Sequence, residues 1–400
     1  MTPSALRRAL RGPPFRRFLS ARTISQWGDT FNSVALVIVV FRLTGSGVKV
    51  AATVVFEIVP VLALGLFAGT VVDRAPRRRV MVIADLGRAA VAVALAGLSQ
   101  HLGVVYAAAF TLSCFSVFFN PAAQSALPDL VGPDDVVTAN SALWSAAVIS
   151  QIALAPVAGA LVVFAGAGPA FAINAASFVV SALLISGLEL PARPRPTPSR
   201  PLADIAVGLR TIRQSPFLST LAAVQALAAL SAGATSALLV VLAERHLHVG
   251  PGRYGLLIAA IGVGAGLGPL VLHRLVRDVR RPGWLFGPYL VRGIVDLVLA
   301  ASARFGVAVI ALGAYGLGTS TGNVTYNSVI QTVVPEAVRG RVFAFYDVVW
   351  QTSRLASIGL GGVLADAIGI RAVYGFGGAM LIVAGLLGFG FARDDLSPTH

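Results

Sequence analysis

Charged residues are scarce in this chain. They make up 12% of its 400 residues, whereas an average soluble protein has about 25%. Hydrophobic residues make up 56%, and the mean hydropathy is +0.82. A soluble chain cannot bury that much apolar surface. The composition therefore predicts a polytopic membrane protein, because one spanning helix takes about 20 residues and this length allows roughly ten to fourteen of them.

Residues and motifs that catalysis, disulfide formation or metal binding requires are scarce or absent in the sequence. Cys114 is the only cysteine, which excludes an intramolecular disulfide and a cysteine metal cluster. Neither a Walker loop, nor G-x-S-x-G, nor H-E-x-x-H occurs. We therefore predict no enzyme, no catalytic residue, no cofactor and no metal. Energy for any transport must come from an ion gradient or from the gradient of the substrate itself.

Lysine is nearly absent too, so the net charge of +14 rests on arginine. In a soluble chain this charge would indicate nucleic acid, but here the arginines cluster between apolar runs. The positive-inside rule explains such clusters as cytoplasmic loops, and we predict no nucleic-acid partner.

Twelve apolar windows of spanning length place both termini on the same side of the membrane. That side is cytoplasmic by the positive-inside rule, because most of the 31 lysines and arginines then fall in cytoplasmic segments. The loop near 126–137 is an exception, since it holds Asp129, Asp134 and Asp135 and no arginine. The windows lie near 18–41, 48–72, 80–100, 103–125, 138–165, 169–188, 217–243, 253–273, 284–302, 305–332, 342–365 and 371–391.

A proline- and arginine-rich stretch, residues 189–215, divides the chain into halves of six spans. Dense proline favours extended polyproline and forbids a spanning helix. We predict an N-terminal bundle over 1–188, a cytoplasmic linker over 189–215 and a C-terminal bundle over 216–400. The halves are weakly alike, since the third and the ninth span each carry an acid–arginine pair. Such repeats are typical of secondary transporters that bind substrate between the halves.

The loop between spans two and three, Gly69-Thr-Val-Val-Asp73-Arg74-Ala-Pro-Arg77-Arg78, resembles the signature of the major facilitator superfamily. Ile24-Ser-Gln-Trp-Gly-Asp29, Asp85-Leu-Gly-Arg88 and Pro335-Glu-Ala-Val-Arg-Gly-Arg341 are similar to bacterial exporters related to the enterobactin exporter and the macrolide efflux proteins. The resemblance implies an all-α integral membrane protein with twelve transmembrane helices in two pseudo-symmetric six-helix bundles. It also implies alternating access, export driven by protons, and a location in the inner membrane of a bacterium. Span four lacks the arginine that drug/proton antiporters often carry there.

The arginine-dense loop is the candidate conformational latch. Asp73 at the end of span two can cap the N-terminus of span eleven near Arg341, where the helix dipole favours negative charge. Gly69 permits the close helix approach. The alternative is a loop acid that merely balances its neighbours Arg74, Arg77 and Arg78.

Ionisable residues inside spans are costly and require a partner or a function. We take seven of them as candidate coupling or substrate groups, with static charge neutralisation as the alternative for the paired ones. Six further residues lie on polar faces and are candidates for lining a cavity, with hydrogen bonding between helices as the alternative. The first group is Asp29, Asp85, Arg88, Arg292, Asp296, Asp347 and Arg354, and the second is Gln26, Asn120, Asn140, Trp144, Asn323 and Asn327.

The sequence thus predicts a secondary active transporter, a monomer in the lipid bilayer, that exports a small amphipathic compound such as a drug, a macrolide-like metabolite or a siderophore in exchange for protons. A lipid or lysolipid translocator and an importer are alternatives within the same fold. A receptor or scaffold that transports nothing is an alternative of another class. Substrate identity and coupling ion stay open at this point.

Overall fold

The structure is a computed structural model that describes residues 12–132, 135–191, 209–275 and 281–395. Most of the predicted linker, the first arginines of the chain and Asp134 lie outside these ranges. At Gly69, Asp73 and Arg74 the structure describes only the backbone, which is helical.

The described ranges form helices and contain no strand. Proline occupies an early position in several of them, where its missing N–H is no loss, as at Pro13, Pro216 and Pro282. We number the helices α1 Pro13–Thr44, α2 Gly47–Arg74, α3 Arg77–Leu98, α4 Leu102–Val131, α5 Val136–Ala165, α6 Gly168–Ser186, α7 Pro216–Ala237, α8 Leu239–Arg245, α9 Pro251–Leu275, α10 Pro282–Ala301, α11 Phe305–Val333, α12 Glu336–Ala367 and α13 Ile370–Asp395.

The predicted all-α membrane fold is confirmed. Within the described residues, eleven helices are long and apolar enough to cross a membrane, and α12 has the length but is less apolar. The prediction of one span over 217–243 was wrong in detail, because the chain leaves helical geometry at Leu238 and divides that window between α7 and the short α8. Predicted starts agree with the structure within a few residues, whereas α1 and α12 extend well beyond their predicted spans.

The described residues divide into two compact units. The first comprises Met1–Gly45, Thr53–Pro198 and Pro251–Ala259, and the second comprises Ser46–Ala52, Ser199–Gly250 and Ala260–His400. The start of α2 therefore groups with the second unit, and the start of α9 groups with the first. The predicted domain limits around 189–215 stay a prediction.

Each unit packs its helices in the same order. In the first, α6 lies against α1 and α3, and α5 lies against α1. In the second, α13 lies against α7 and α10, and α12 lies against α7. Phe15, Met81 and Phe119 anchor the core of the first unit, and Phe286 and Tyr346 that of the second. The two arrangements correspond helix for helix, as an internal repeat requires.

Small residues set the closest helix contacts, as is usual in membrane proteins. A Cβ on Gly28 of α1 would lie 2.0 Å from the Ser177 hydroxyl oxygen of α6. A Cβ on Gly378 of α13 would lie 2.7 Å from the carbonyl oxygen of Gly293 in α10. These contacts place α1 directly against α6, and α10 directly against α13.

Candidate functional site

The first unit holds a buried ion pair within α3. Asp85 is 0% exposed and Arg88 3% exposed, and the Arg88 guanidinium donates to the Asp85 carboxylate one turn earlier. The Arg88 guanidinium carbon lies 4.3 Å from the ring centre of Phe119 and 4.4 Å from that of Phe178. Cation–π attraction on both faces and a paired carboxylate together offset the cost of burying the charge.

Arg22 extends this cluster, and the sequence reasoning missed it. We predicted Arg22 to be a cytoplasmic arginine at the start of the first span and did not select it as a site residue. It lies inside α1, and its side of the membrane stays a prediction. Its guanidinium lies 5.1 Å from the ring centre of Phe119, and it interacts electrostatically with Asp29, Asp85 and Arg88. The signal was present in the sequence, since Arg22, Gln26 and Asp29 follow at helical spacing and share one face.

Arg22 also lines a small pocket of the first unit, with a volume of about 40 Å³. The pocket lies between α1 and α5 and is lined by Arg22, Thr23, Gln26, Leu143 and Ala147. Gln26, a predicted cavity residue, is therefore beside the charge cluster.

The second unit holds the corresponding residues in α10, but they are not paired with each other. Asp296 is 1% exposed, and neither of its carboxylate oxygens has a hydrogen-bond partner. Arg292 donates instead to the Tyr315 hydroxyl on α11 at 3.0 Å, with its guanidinium carbon 4.8 Å from the ring centre of that tyrosine. Arg292 and Asp296 thus lie one turn apart on the same helix, but Arg292 bonds to Tyr315 and not to Asp296.

A serine on a facing helix accompanies each buried acid. Ser181 of α6 faces Asp85, and Ser231 of α7 faces Asp296. A Cβ on Gly377 of α13 would lie 3.1 Å from the Ser231 hydroxyl oxygen and 3.7 Å from Asp296 Oδ2. Each acid therefore has an arginine and a serine hydroxyl nearby, and Asp296 also lies beside a close helix contact at Gly377.

Five of the six predicted cavity residues are exposed, and Gln26 is half-buried. Asn140 and Trp144 lie one turn apart on α5, and Trp144 is 47% exposed. Asp347 of α12 is exposed and Arg354 is half-buried on the same helix. The others that are exposed are Asn120 on α4 and Asn323 and Asn327 on α11.

The predicted latch residues lie at the junction of α2 and α3 and in α12. Arg77 donates to Asp129 at 2.5 Å, to the Ser125 carbonyl at 2.7 Å and to the Pro191 carbonyl at 2.7 Å. The prediction that Asp129 belongs to a loop near 126–137 was wrong, because Asp129 lies in the last turn of α4, where it pairs with Arg77.

Arg78 donates to the Leu188 carbonyl at 3.2 Å, so both arginines hold the chain that follows α6. Arg341 lies half-buried in the second turn of α12. The latch of Asp73 on α12 stays a prediction.

Comparison with known proteins gives the chain its relatives. The family of transmembrane secretion effectors matches residues 5–396. The multidrug efflux pump Tap of Mycolicibacterium fortuitum is 27% identical over 379 residues, covering 91% of this chain and 92% of that protein. The enterobactin exporter EntS of Citrobacter koseri is 26% identical over 395 residues, covering 94% and 91%.

Solved structures agree on the fold. A bacterial homologue of the iron transporter ferroportin in an inward-facing state superimposes with a TM-score of 0.73 at 16% identity, over 95% of this chain and 98% of that one. The nucleoside transporter NupG gives a TM-score of 0.75 at 13% identity, over 94% and 98%. The chain is a multi-pass membrane transporter and not an enzyme, and it belongs to the transmembrane secretion effector family of the major facilitator superfamily.

Proposed function

We propose that this protein is a proton-driven exporter of a small amphipathic compound, such as a drug, a macrolide-like metabolite or a siderophore, and that it works as a monomer by alternating access. In this proposal it lies in the cytoplasmic membrane of a bacterium, with both termini on the cytoplasmic side. Two of its relatives are an efflux pump and an exporter, which supports outward transport. The predicted latch of Asp73 near Arg341 is part of the same proposal.

The buried, unpaired carboxyl of Asp296 is the observation that carries proton coupling. Burying an ion without a partner costs far more than burying a neutral group. Binding or loss of a proton at Asp296 therefore changes the energy of this arrangement strongly. Arg292, one turn away and bonded to Tyr315, is the cation that can pair with Asp296 once the proton has left. Protonation is thereby linked to which partner Arg292 holds.

The exposed residues of α4, α5 and α11 support an amphipathic substrate. The amides of Asn120, Asn140, Asn323 and Asn327 offer hydrogen bonds, and Trp144 offers an aromatic surface. Substrate pockets combine apolar and aromatic surface with a few polar groups in this way. The acid–arginine cluster of Asp29, Asp85 and Arg88 in the first unit is a second candidate for coupling.

The test is accumulation of a panel of macrolides, dyes and siderophores in efflux-deficient bacterial cells that express the protein. We expect lower accumulation of at least one compound, abolished by a protonophore. Asp296→Asn should reduce the protonophore-sensitive efflux at least tenfold. The matched control is Glu189→Gln, an exposed acid just after α6, which should leave efflux unchanged.

Five results would change or overturn the proposal. Full protonophore-sensitive efflux by the Asp296→Asn variant would move coupling to Asp29 or Asp85. Efflux that a protonophore does not affect would exclude proton coupling. Inward flux of a compound would show an importer. Flipping of a labelled lysolipid would show a lipid translocator. If no compound were transported in either direction and no lysolipid were flipped, a receptor or scaffold would be favoured.

A further inference from the structure

Arg22 of α1 is the cation of the first-unit cluster that donates no hydrogen bond within the part of the chain that the structure describes. Its guanidinium carbon lies 5.1 Å from the ring centre of Phe119, and Asp29 and Asp85 attract it only through space. Asp85 is already bonded to Arg88. Arg22 and Arg88 approach the same ring and repel each other. The Arg22 guanidinium thus has donors to spare for an anionic acceptor.

The pocket between α1 and α5 gives that guanidinium a space for such an acceptor. Arg22 lines it beside Thr23 and Gln26 of the same helix, and Leu143 and Ala147 form its apolar wall on α5. A threonine hydroxyl and a glutamine amide can both donate hydrogen bonds. The volume of about 40 Å³ holds roughly three waters. This space suits a carboxylate, whereas a whole drug-sized molecule needs a much larger pocket.

The same side of α5 continues the pocket wall with aromatic and polar surface. Asn140, Leu143, Trp144 and Ala147 recur at three- and four-residue spacing, so they share one side of the helix. Trp144 is 47% exposed. A molecule with an anionic group at Arg22 can therefore lay an apolar body against α5.

We propose that Arg22, Thr23 and Gln26 form an anion subsite, and that the exported compounds are amphipathic organic acids with a carboxylate or a similarly small anionic group. The inference rests on the proposed function and names the substrate class for it. A guanidinium matches a carboxylate because its planar fork donates two parallel hydrogen bonds. A cationic drug would meet Arg22 with like charge. The subsite belongs to the first unit, whereas Asp296, the proposed coupling group, belongs to the second.

Binding of matched probes to the purified full-length protein tests the subsite without any need for transport. Naphthoate, naphthamide and naphthylmethylammonium share one apolar body and differ in charge. Equilibrium dialysis in a nonionic detergent gives each Kd, after subtraction of binding to micelles alone. We expect naphthoate to bind at least about tenfold more tightly than either of the others, because hydrogen bonds between charged groups are the stronger ones. Equal Kd values for the three probes, or tightest binding of the ammonium, would overturn the inference.

Substitution of Arg22 should remove the preference for the acid. We expect Arg22→Gln to weaken naphthoate binding about tenfold and to leave it no tighter than naphthamide binding. Arg22→Lys should keep part of the preference, since it keeps the charge but loses the planar fork. The matched control is Arg16→Gln, which removes an exposed arginine from the same helix and should leave all three Kd values unchanged. An intact preference in Arg22→Gln would overturn the subsite, and so would an equal loss in Arg16→Gln.

Gln26→Glu keeps the inference testable if Arg22→Gln does not fold. The introduced carboxylate lies one turn from Arg22, where it can pair with the guanidinium. Naphthoate binding should then fall at least about tenfold by competition and repulsion, with no fall in melting temperature. Full naphthoate binding by this variant would overturn the subsite.

Asp29→Asn should change binding in the opposite direction. It removes an acid that attracts Arg22 through space, so naphthoate should bind about threefold more tightly. A residue that only supports packing would not produce this gain. Weaker binding of naphthoate by Asp29→Asn would contradict the electrostatic basis of the subsite.

An anionic lipid headgroup offers similar chemistry, so lysophosphatidylglycerol is tested as a competitor beside zwitterionic lysophosphatidylcholine. Tighter binding of lysophosphatidylglycerol than of naphthoate, lost in Arg22→Gln, would assign the subsite to a lipid and overturn the organic acid. Failure of the proposed function is distinguishable, because it removes efflux from cells but leaves the naphthoate preference in place. Efflux restricted to neutral or cationic compounds would leave the proposed function intact and overturn this inference.

Discussion

The two units bury an acid and an arginine at equivalent places, yet only one of them forms an ion pair. Asp85 and Arg88 of α3 are bonded to each other, whereas Arg292 of α10 turns to Tyr315 and leaves Asp296 without a hydrogen-bond partner. Both spacings, three and four residues, allow contact on a helix. The difference shows that neighbouring helices decide whether two charges pair.

The neighbours explain the outcome in each unit. The rings of Phe119 and Phe178 hold the Arg88 guanidinium and provide no oxygen acceptor, so the arginine donates to the acid on its own helix. In the second unit the hydroxyl of Tyr315 accepts from Arg292. One unit therefore has an acid and an arginine that are bonded to each other, and the other has an acid without a hydrogen-bond partner.

Removing the acid of the paired unit should have the largest effect on stability. Asp85→Ala leaves the Arg88 charge buried without its partner, which typically costs about 3–5 kcal/mol. The expected result is a large fall in the melting temperature of the purified protein. The double variant Asp85→Ala/Arg88→Met should recover most of that loss, because it buries no charge. Additive losses in the double variant would show that the two residues do not act as a pair.

Removing the hydroxyl that competes for Arg292 should have the next largest effect. Tyr315→Phe eliminates a hydrogen bond to a charged group, worth about 1.5–3 kcal/mol, and frees Arg292 to pair with Asp296. We expect a loss of protonophore-sensitive efflux together with a modest fall in melting temperature. Tyr289→Phe is the stability control, since it removes a neutral hydrogen bond to Gln225 worth about 0.5–1.5 kcal/mol. Normal coupling in Tyr315→Phe would contradict the competition.

Neutralising the unpaired acid should change stability little. Asp296→Asn removes no hydrogen bond and no ion pair, and it avoids burial of an unpaired charge, so the free energy of unfolding should change by less than about 1 kcal/mol or increase. The melting temperature of this variant, measured beside Asp85→Asn, gives the direct comparison. A fall as large as that of Asp85→Asn would show that Asp296 has a partner in the folded protein.

The smallest expected effect is that of pH on Asp366 of α12. Burial opposes ionisation of this carboxyl, but hydrogen bonds from Ser46, Val48, Gly47 and Arg245 outweigh it and lower its pKa to about 2. Its contribution to stability is therefore complete above the ordinary carboxyl pKa of about 3.9 and is lost only as the pH falls through about 2. The difference in melting temperature between the unmodified protein and Asp366→Ala should be constant from pH 5 to pH 8. A difference that collapses within this range would mean that the carboxylate takes up a proton there.

Much of the fold could be predicted from the sequence because the bilayer restricts the answer. Apolar runs of spanning length must be helical, since no other single-segment structure satisfies the backbone in lipid. Glycine and proline marked many of the ends, as at Gly45, whose positive φ of 62° closes α1, and at Pro216 and Pro282. Charged residues inside those runs identified Asp85, Arg88, Arg292 and Asp296 as residues that need an explanation.

Only the tertiary structure decided what those residues contact. Asp366 meets Gly47 across 319 residues of sequence, and Arg77 meets Asp129 across 52, and no local pattern encodes either meeting. Arg22 joins the buried cluster because its guanidinium reaches the ring of Phe119 on α4. Helix formation depends on local hydrogen bonds and on the apolar solvent, which the sequence alone determines. The partner of a buried charge depends on which donors and acceptors the neighbouring helices bring within about 3 Å, and packing of the whole unit determines that.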